Sequence, residues 1–211
     1  MLEVTDLLAG YDGKSVAHLD RLSVGAGEAA ILAGVSGSGK TTLLLAIAGL
    51  AETMRGSVRV EGEDVTRLSP RGRDRHRGRA IGLVFQDLHL VPGLSALDNM
   101  LLAPFASGAR PDRMRALAML ERLGVREHAG SGAETLSRGQ AQRVAIARAL
   151  LMKPRVILAD EPTASLDDAS CAAVLALLSD TAREYGAALV IATHDGRVRS
   201  HISRTVTAEA A

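Results

Sequence analysis

Eight residues between an apolar run and a helical one, Gly34-Val35-Ser36-Gly37-Ser38-Gly39-Lys40-Thr41, constrain this chain more than any other stretch. They fit the pattern G-x-x-x-x-G-K-[ST] in the context it demands, a strand before and a helix after. Glycines there let consecutive backbone N–H groups turn toward one anion, and the N-terminus of the following helix adds its positive end. Of 25 Lys and Arg residues only Lys14, Lys40 and Lys153 are lysines. A chain that otherwise nearly always uses arginine thus has lysine where a mobile point charge reaches outer phosphates. Gly34, Ser36, Gly37, Ser38, Gly39, Lys40, Thr41 and Thr42 are therefore the candidates for holding a nucleoside triphosphate, and the Thr41 hydroxyl is a candidate Mg²⁺ ligand.

The rest of the chain is consistent with a sheet built around that loop. Apolar runs at 29–32, 81–85, 156–159 and 188–192 contain β-branched residues, are too short for helices and read as buried strands. The first 28 residues are short alternating runs with turns expected at Gly10, Asp12-Gly13 and Gly25-Ala26-Gly27, which suits antiparallel strands. Pro111 and Asp112 open a helical pattern with Met114, Leu117, Leu120 and Leu123 facing inward, closed by Gly124. A second helix is expected from about 141 to 151. At 211 residues the chain suits a single domain. Its expected fold is α/β: a P-loop NTPase with a parallel-sheet core (about 1–86 and 151–211), an N-terminal antiparallel β subdomain and an inserted α-helical subdomain (about 87–150).

Composition excludes several alternatives. No stretch free of charged residues exceeds 11, against the roughly 20 apolar residues that a membrane-spanning helix needs. Met1-Leu2-Glu3-Val4-Thr5-Asp6 has acids where a signal peptide carries bases, so a cytosolic location is expected. Cys171, the single cysteine, sits in an Ala/Leu-rich run and reads as a small buried hydrophobe. The net charge of +1 gives no general attraction to nucleic acid. The segment 67–79 is locally +5, through Arg67, Arg71, Arg73, Arg75, Arg77 and Arg79 against Asp74. Pro70, Gly72 and Gly78 are expected to break a continuous helix there. The run reads either as a solvated face or as a patch toward lipid headgroups or a partner.

Two further motifs carry chemistry. The apolar strand at 156–159 ends in Asp160-Glu161, at the carboxyl edge where open α/β sheets bind ligands. Asp160 is placed to hold Mg²⁺ and Glu161 to orient or deprotonate a water, with Pro162 biasing Glu161 toward an extended backbone. Alone, the pair could equally be a helix-capping turn. Ser137-Arg138-Gly139-Gln140 fits a capping box, with Ser137 as cap and Gln140 reaching back. That glycine-exposed helix start is also an anion site, remote in sequence from the P-loop and suited to another subunit's nucleotide.

In order and approximate spacing, the P-loop, Gln86, Leu136-Ser137-Arg138-Gly139-Gln140, Asp160-Glu161, Ser165-Leu166-Asp167 and His194 resemble the ATP-binding-cassette (ABC) transporter ATPases over nearly the whole chain. The resemblance implies a head-to-tail dimer clamping two ATP molecules, each between one subunit's P-loop and the other's 136–140 motif, and driving a membrane permease. It implies that Tyr11 stacks on adenine, Gln86 contacts Mg²⁺ and the attacking water, and His194 senses the γ-phosphate. Asp167 would couple the two sites, and Ser137, Gly139 and Gln140 would serve the partner's nucleotide. Arg138 departs from the family's usual LSGGQ. The stretch 86–100 is similar to the subfamily of lipoprotein-releasing, macrolide-exporting and cell-division ATPases. The implied location is peripheral, on the cytoplasmic face of the inner membrane. A regulatory ATPase that acts on a membrane partner without transport carries the same motifs.

Overall fold

Alternating burial makes β1 (Leu2–Tyr11) and β2 (Lys14–Val24) an antiparallel hairpin closed by Asp12-Gly13, both in the left-handed region at φ 50° and 72°. Here the computed structural model describes residues 1–164 and 166–211, and Ser165 of the expected Ser165-Leu166-Asp167 motif lies outside the described residues. Gly10, expected at a turn, instead lies inside β1 at a register shift. A Cβ there would collide with the Lys14 carbonyl, so the close approach of β2 demands glycine.

The chain then enters a second sheet. After β3 (Ala29–Ala33) come α1 (Lys40–Ile47), β4 (Glu52–Val60), β5 (Glu63–Asp64), α2 (Pro70–Ala80) and β6 (Ile81–Val84). Next are α3 (Ala96–Ala106), α4 (Arg113–Arg122), α5 (Arg138–Leu150), β7 (Val156–Asp160), α6 (Asp168–Tyr185), β8 (Ala188–Ala192), β9 (Thr205–Thr207) and β10 (Glu209–Ala210). The antiparallel sheet has the order β10-β2-β1-β4-β5, and the parallel sheet β6-β7-β8-β3-β9. Each of the four expected strands appears, with ends moved by at most one residue.

The parallel sheet is covered on both faces, which is why its strands read as continuous apolar runs. Ala30, Leu32, Leu158 and Val190 pack with Leu43, Leu44 and Ile47 of α1 and with Leu2 and Leu7 of the antiparallel sheet. Ile31, Ile157 and Ile191 face the other way, onto Met100, Leu120, Ile146 and Leu175 of α3 to α6. Each Val, Leu, Ile or Met side chain among them contributes about 1.5–3 kcal/mol when fully buried. Cys171 is buried in this second cluster, as expected.

Four helical expectations are corrected. First, α2 runs unbroken through Gly72 and Gly78: Ser69 accepts from the Gly72 N–H, and Pro70 occupies the first helical position, where its missing N–H costs nothing. The two glycines cost about 1 kcal/mol each, and Gly78 admits the close approach of Ser107. The helix buries His76 and Ala80 and leaves Arg71, Arg75 and Arg79 exposed at a spacing of four. Second, α3 is a third helix within the expected helical insert, where only two were delimited. Ser95 caps it at the Asp98 N–H, Leu97 and Met100 are buried, and Pro104 falls late enough to spare most of its hydrogen bonds.

Third, Met114 is 74% exposed, whereas Ala116, Met119 and Leu120 form the inner face of α4. A step of three residues drifts about 60° around a helix, so Met114 lies about 120° from the face of Leu120. Fourth, the bound near 141 moves back to Arg138, where the expected capping box with Ser137 as cap opens α5: the Gln140 N–H donates to Ser137 Oγ and the Ser137 N–H to Gln140 Oε1. No helix among the described residues is long and apolar enough to cross a membrane.

Candidate nucleotide site

The strand order decides what meets. Because β6, β7, β8 and β3 are consecutive neighbours, the segments leaving their carboxyl ends lie side by side. In register, Asp160 pairs with Ala192 and Ala192 with Leu32, so Asp160-Glu161, Thr193-His194 and the loop 34–41 emerge at one level.

The loop is built on left-handed glycines, with φ 82° at Gly37 and 79° at Gly39. Gly39 also faces Ala17 and Val16 of β2 without room for a Cβ, which sets the loop against the antiparallel sheet. Lys40, 7% exposed, folds back to donate to the carbonyls of Gly34 (2.9 Å) and Val35 (3.1 Å). Its ammonium is thereby held within the loop. The Ser38 hydroxyl is buried against Gly34 with no hydrogen-bond partner among the described residues, a polar atom left over for a ligand. Gly39→Ala is expected to cost about 1–3 kcal/mol of stability, through forced left-handed strain and the clash with Ala17. ATP affinity should fall with it, and thermal melts together with equilibrium ATP titration check both.

Thr41 Oγ1 donates to Asp160 Oδ2 at 2.6 Å. The other carboxylate oxygen, Oδ1, is buried without a hydrogen-bond partner among the described residues. Burial pushes the Asp160 carboxyl above its usual range, Glu161 pushes the same way, and the Thr41 hydrogen bond and Lys40 oppose them. A hydroxyl and a carboxylate with an unused oxygen, both hard donors, fit a Mg²⁺ ion.

Glu161 departs from expectation. Its φ is 44°, so Pro162 does not leave it extended. Tertiary bonding overrides the local bias: the Glu161 N–H is taken by the Ala192 carbonyl at 2.8 Å, and the carboxylate by the segment after β8. Thr193 Oγ1 donates to Oε2 (2.7 Å), while the His194 backbone N–H (3.2 Å) and Nδ1 (2.6 Å) reach Oε1. An ionised carboxylate only accepts, so His194 Nδ1 carries the proton in this contact. His194 is otherwise largely open to solvent, its side chain 67% exposed.

The remaining candidates lie around this centre. Gln86 is exposed just beyond β6, and the segment after it is pinned by Arg148 of α5, which donates to the carbonyls of Leu88 (2.8 Å) and His89 (2.7 Å). Burial lowers the Arg148 pKa. Tyr11 is half-exposed at the end of β1. Asp167 caps α6 by accepting from Ser170, which holds its carboxyl below the usual range. Gln140 is used within its own chain, by the capping box and by a 2.7 Å contact with His128. Among the described residues no hydrogen bond joins Ser137, Arg138 or Gly139 to the loop 34–41. Buried Gln142 links α5 to the Pro162 carbonyl and so ties the Ser137 helix to the Asp160-Glu161 turn.

Thr193, Gln142, Arg148, Asp195 and Arg197 were not singled out in the sequence. For Gln142 a signal existed, a polar side chain on the inner face of an apolar helix. For the others the partners are remote in sequence and no local pattern marks them.

A phosphate loop at a sheet edge, a Thr–Asp pair with a spare carboxylate oxygen, and a glutamate beside it together define a P-loop ATPase. The sequence profile described as "ABC transporter" matches residues 18–164. The lipoprotein-releasing system ATP-binding protein LolD 1 of Caulobacter vibrioides is 42% identical, over 97% of this chain and 85% of that protein. The macrolide export ATP-binding/permease protein MacB of Syntrophobacter fumaroxidans is 41% identical, over 88% of this chain and 26% of that longer protein. A solved structure of the cassette MJ0796, a dimer in a post-hydrolysis state bound to ADP and Pi, superposes with a TM-score of 0.87 at 33% identity, covering 99% of this chain and 94% of that one. This chain belongs to the ABC transporter family. It is an ATP-binding, ATP-hydrolysing subunit of an ABC transporter, and the family match supports that role over the purely regulatory one.

Proposed function

We propose that this subunit powers a transporter of the lipoprotein-releasing and macrolide-exporting type, hydrolysing ATP in a head-to-tail pair of cassettes beneath an integral-membrane permease. The Thr41–Asp160 contact with its spare, buried oxygen carries the chemical part of the reading. Thr41 and Asp160, with Gln86 from the neighbouring strand end, would hold Mg²⁺, which neutralises charge on the outer phosphates. Lys40 and the backbone N–H groups of 34–41 hold the β- and γ-phosphates, and Tyr11 takes the adenine face.

Glu161 orients the attacking water and accepts its proton as the water oxygen bonds to the γ-phosphorus and the bond to ADP breaks. His194, bonded to Glu161, fixes that carboxylate and answers to the γ-phosphate. Ser137 and Gly139 at the start of α5 serve the partner's nucleotide, and Asp167 couples the two sites. The segment 87–150 acts as the helical subdomain, with 1–86 and 151–211 as the core.

The permease side is supported by a cleft of about 650 Å³ between α2, α3, β6 and α5, floored by Leu83, Phe85, Leu102 and Met152, adjoining Gln86 in the chain. An apolar cleft beside the strand end that bears Gln86 suits a short helix from a membrane subunit. The chain then sits peripherally on the cytoplasmic face, held by protein. Purified alone, it should stay unbound in flotation with anionic liposomes at about 0.15 M salt. Purified from membranes in mild detergent, it should bring an integral-membrane subunit that stimulates its ATPase. Salt-sensitive flotation lost on neutralising Arg71, Arg75 and Arg79, with no such subunit recovered, would overturn this placement.

A further inference from the structure

Arg197 stands three residues beyond His194, in the 3₁₀ turn Gly196–Ser200 that Asp195 caps. Its Nε donates to both Asp195 carboxylate oxygens at 3.0 Å, and Nη2 to Asp195 Oδ2 at 2.7 Å. Nη1 donates to the Leu166 carbonyl at 3.0 Å and to Asp168 Oδ1 at 2.8 Å, and Nη2 lies 3.5 Å from the Thr163 carbonyl. The Thr163 hydroxyl donates to Asp195 Oδ2 at 3.0 Å. One guanidinium thus joins two stretches that are distant in sequence: the segment after β8, which carries His194, and the segment after β7, which starts at Glu161 and reaches Asp167.

The connection runs on to the carboxylate of Glu161. The Asp195 N–H donates to Thr193 Oγ1 at 3.0 Å, and that hydroxyl donates to Glu161 Oε2. Moving Asp195 therefore moves the group that orients Glu161. Hydrogen bonding from Arg197 holds the Asp195 carboxyl down to about 2, so the pair stays ionised at every working pH. The Arg197 side chain is 37% exposed, and an exposed ion pair by itself contributes little stability. What sets Arg197 apart is shape: a planar fork meets a carboxylate on one side and backbone carbonyls on the other, which an ammonium cannot do.

We propose that Arg197 is a positioning residue for hydrolysis, clamping the backbone at Thr163 and Leu166 to the segment bearing His194 and so setting Glu161 and Asp167 relative to that histidine. The proposal rests on the reading of Glu161 as the residue that orients water. A misplacement of about 1 Å at a reacting centre costs up to about 10²-fold in rate, while among the described residues no hydrogen bond joins the phosphate-holding loop 34–41 to Asp195 or Arg197.

The test compares Arg197→Ala, Arg197→Lys and Glu161→Gln in the full chain, by steady-state ATPase rate, equilibrium binding of a fluorescent ATP analogue, and melting temperature. Arg197→Ala should lose tenfold or more in kcat with nucleotide affinity within threefold of the unmodified protein. Arg197→Lys keeps the charge facing Asp195 but lacks the fork, so its kcat should stay within threefold of the alanine variant. If Arg197→Ala does not fold, Arg197→Gln reads the same split between kcat and affinity.

A kcat loss below tenfold in the folded alanine variant overturns the clamp, as does full recovery in Arg197→Lys. So does a fall of kcat and affinity together in step with melting temperature, which marks a structural role. If Glu161→Gln hydrolyses normally, the reading of the site falls and the clamp with it; if Glu161→Gln is inactive while Arg197→Ala works normally, only the clamp falls.

Discussion

Glu161→Gln is expected to bind ATP normally, lose about 10²–10⁴-fold in hydrolysis rate and accumulate as an ATP-bound dimer. The substitution removes the proposed base and preserves the shape. In the wild-type chain Oε1 accepts from the His194 backbone and ring N–H groups and Oε2 from the Thr193 hydroxyl. A glutamine whose carbonyl oxygen takes the two His194 donors presents its amide to Thr193 Oγ1. That hydroxyl already accepts from the Asp195 N–H and has a second lone pair to offer. Only the Thr193 hydroxyl hydrogen loses its acceptor, so most of the network and the fold are kept. Both phosphate clamps remain while the chemical step is blocked, so the sandwich forms and does not reopen. Gel filtration with ATP and Mg²⁺, alongside a phosphate-release assay, reads both halves. A variant that stays monomeric at saturating ATP while hydrolysing at the normal rate would remove Glu161 from the mechanism.

The second large effect separates two adjacent residues. Ser137→Ala should slow hydrolysis on the order of 10²-fold, whereas Arg138→Gly should change it by less than about tenfold. Ser137 has a fixed place: its Oγ caps α5 at the Gln140 N–H, which aims the hydroxyl and the first N–H groups of the helix out of its start. Gly139 has open space around it, so a phosphate can approach the backbone there. Arg138 is exposed and begins the helix, one position past the cap. In the proposed arrangement the partner's phosphate is already served by the hydroxyl, the backbone and the helix end, and a further cation at this position is not required. An arginine finger would instead be worth roughly 10³–10⁵ in rate, so a thousandfold loss in Arg138→Gly reverses the assignment. Ser137→Ala also costs about 1 kcal/mol of helix stability. Melting curves on each variant, with rates measured well below the transition, keep that cost out of the comparison.

What the sequence determined by itself was everything carried by short-range pattern. The loop 34–41 needs only its glycines, Lys40 and Thr41 in one stretch between a strand and a helix. The strands at 29–32, 81–85, 156–159 and 188–192 announce themselves as apolar runs because both faces of the sheet are covered. The Ser137–Gln140 capping box spans four residues and is closed by bonds within them. Where local pattern met a competing force, it failed. The glycines of α2 did not break it, because a capped start and the packing of His76 and Ala80 outweigh about 1 kcal/mol apiece. Met114 followed a spacing of three that drifts off a helix face, and Glu161 took a left-handed φ against its proline because the Ala192 carbonyl and the Thr193-His194 donors hold it.

The chemistry itself was decided only by tertiary structure. Thr41 and Asp160 are 119 residues apart in sequence and 2.6 Å apart in space, and Arg197 spans from His194's segment to carbonyls near Asp167. Those meetings follow from the sheet order β6-β7-β8-β3, which sets non-consecutive strands side by side. Periodicity reports which face of a strand is buried but carries no information about which strand lies next to it, because neighbours are chosen by packing and crossover geometry over the whole chain.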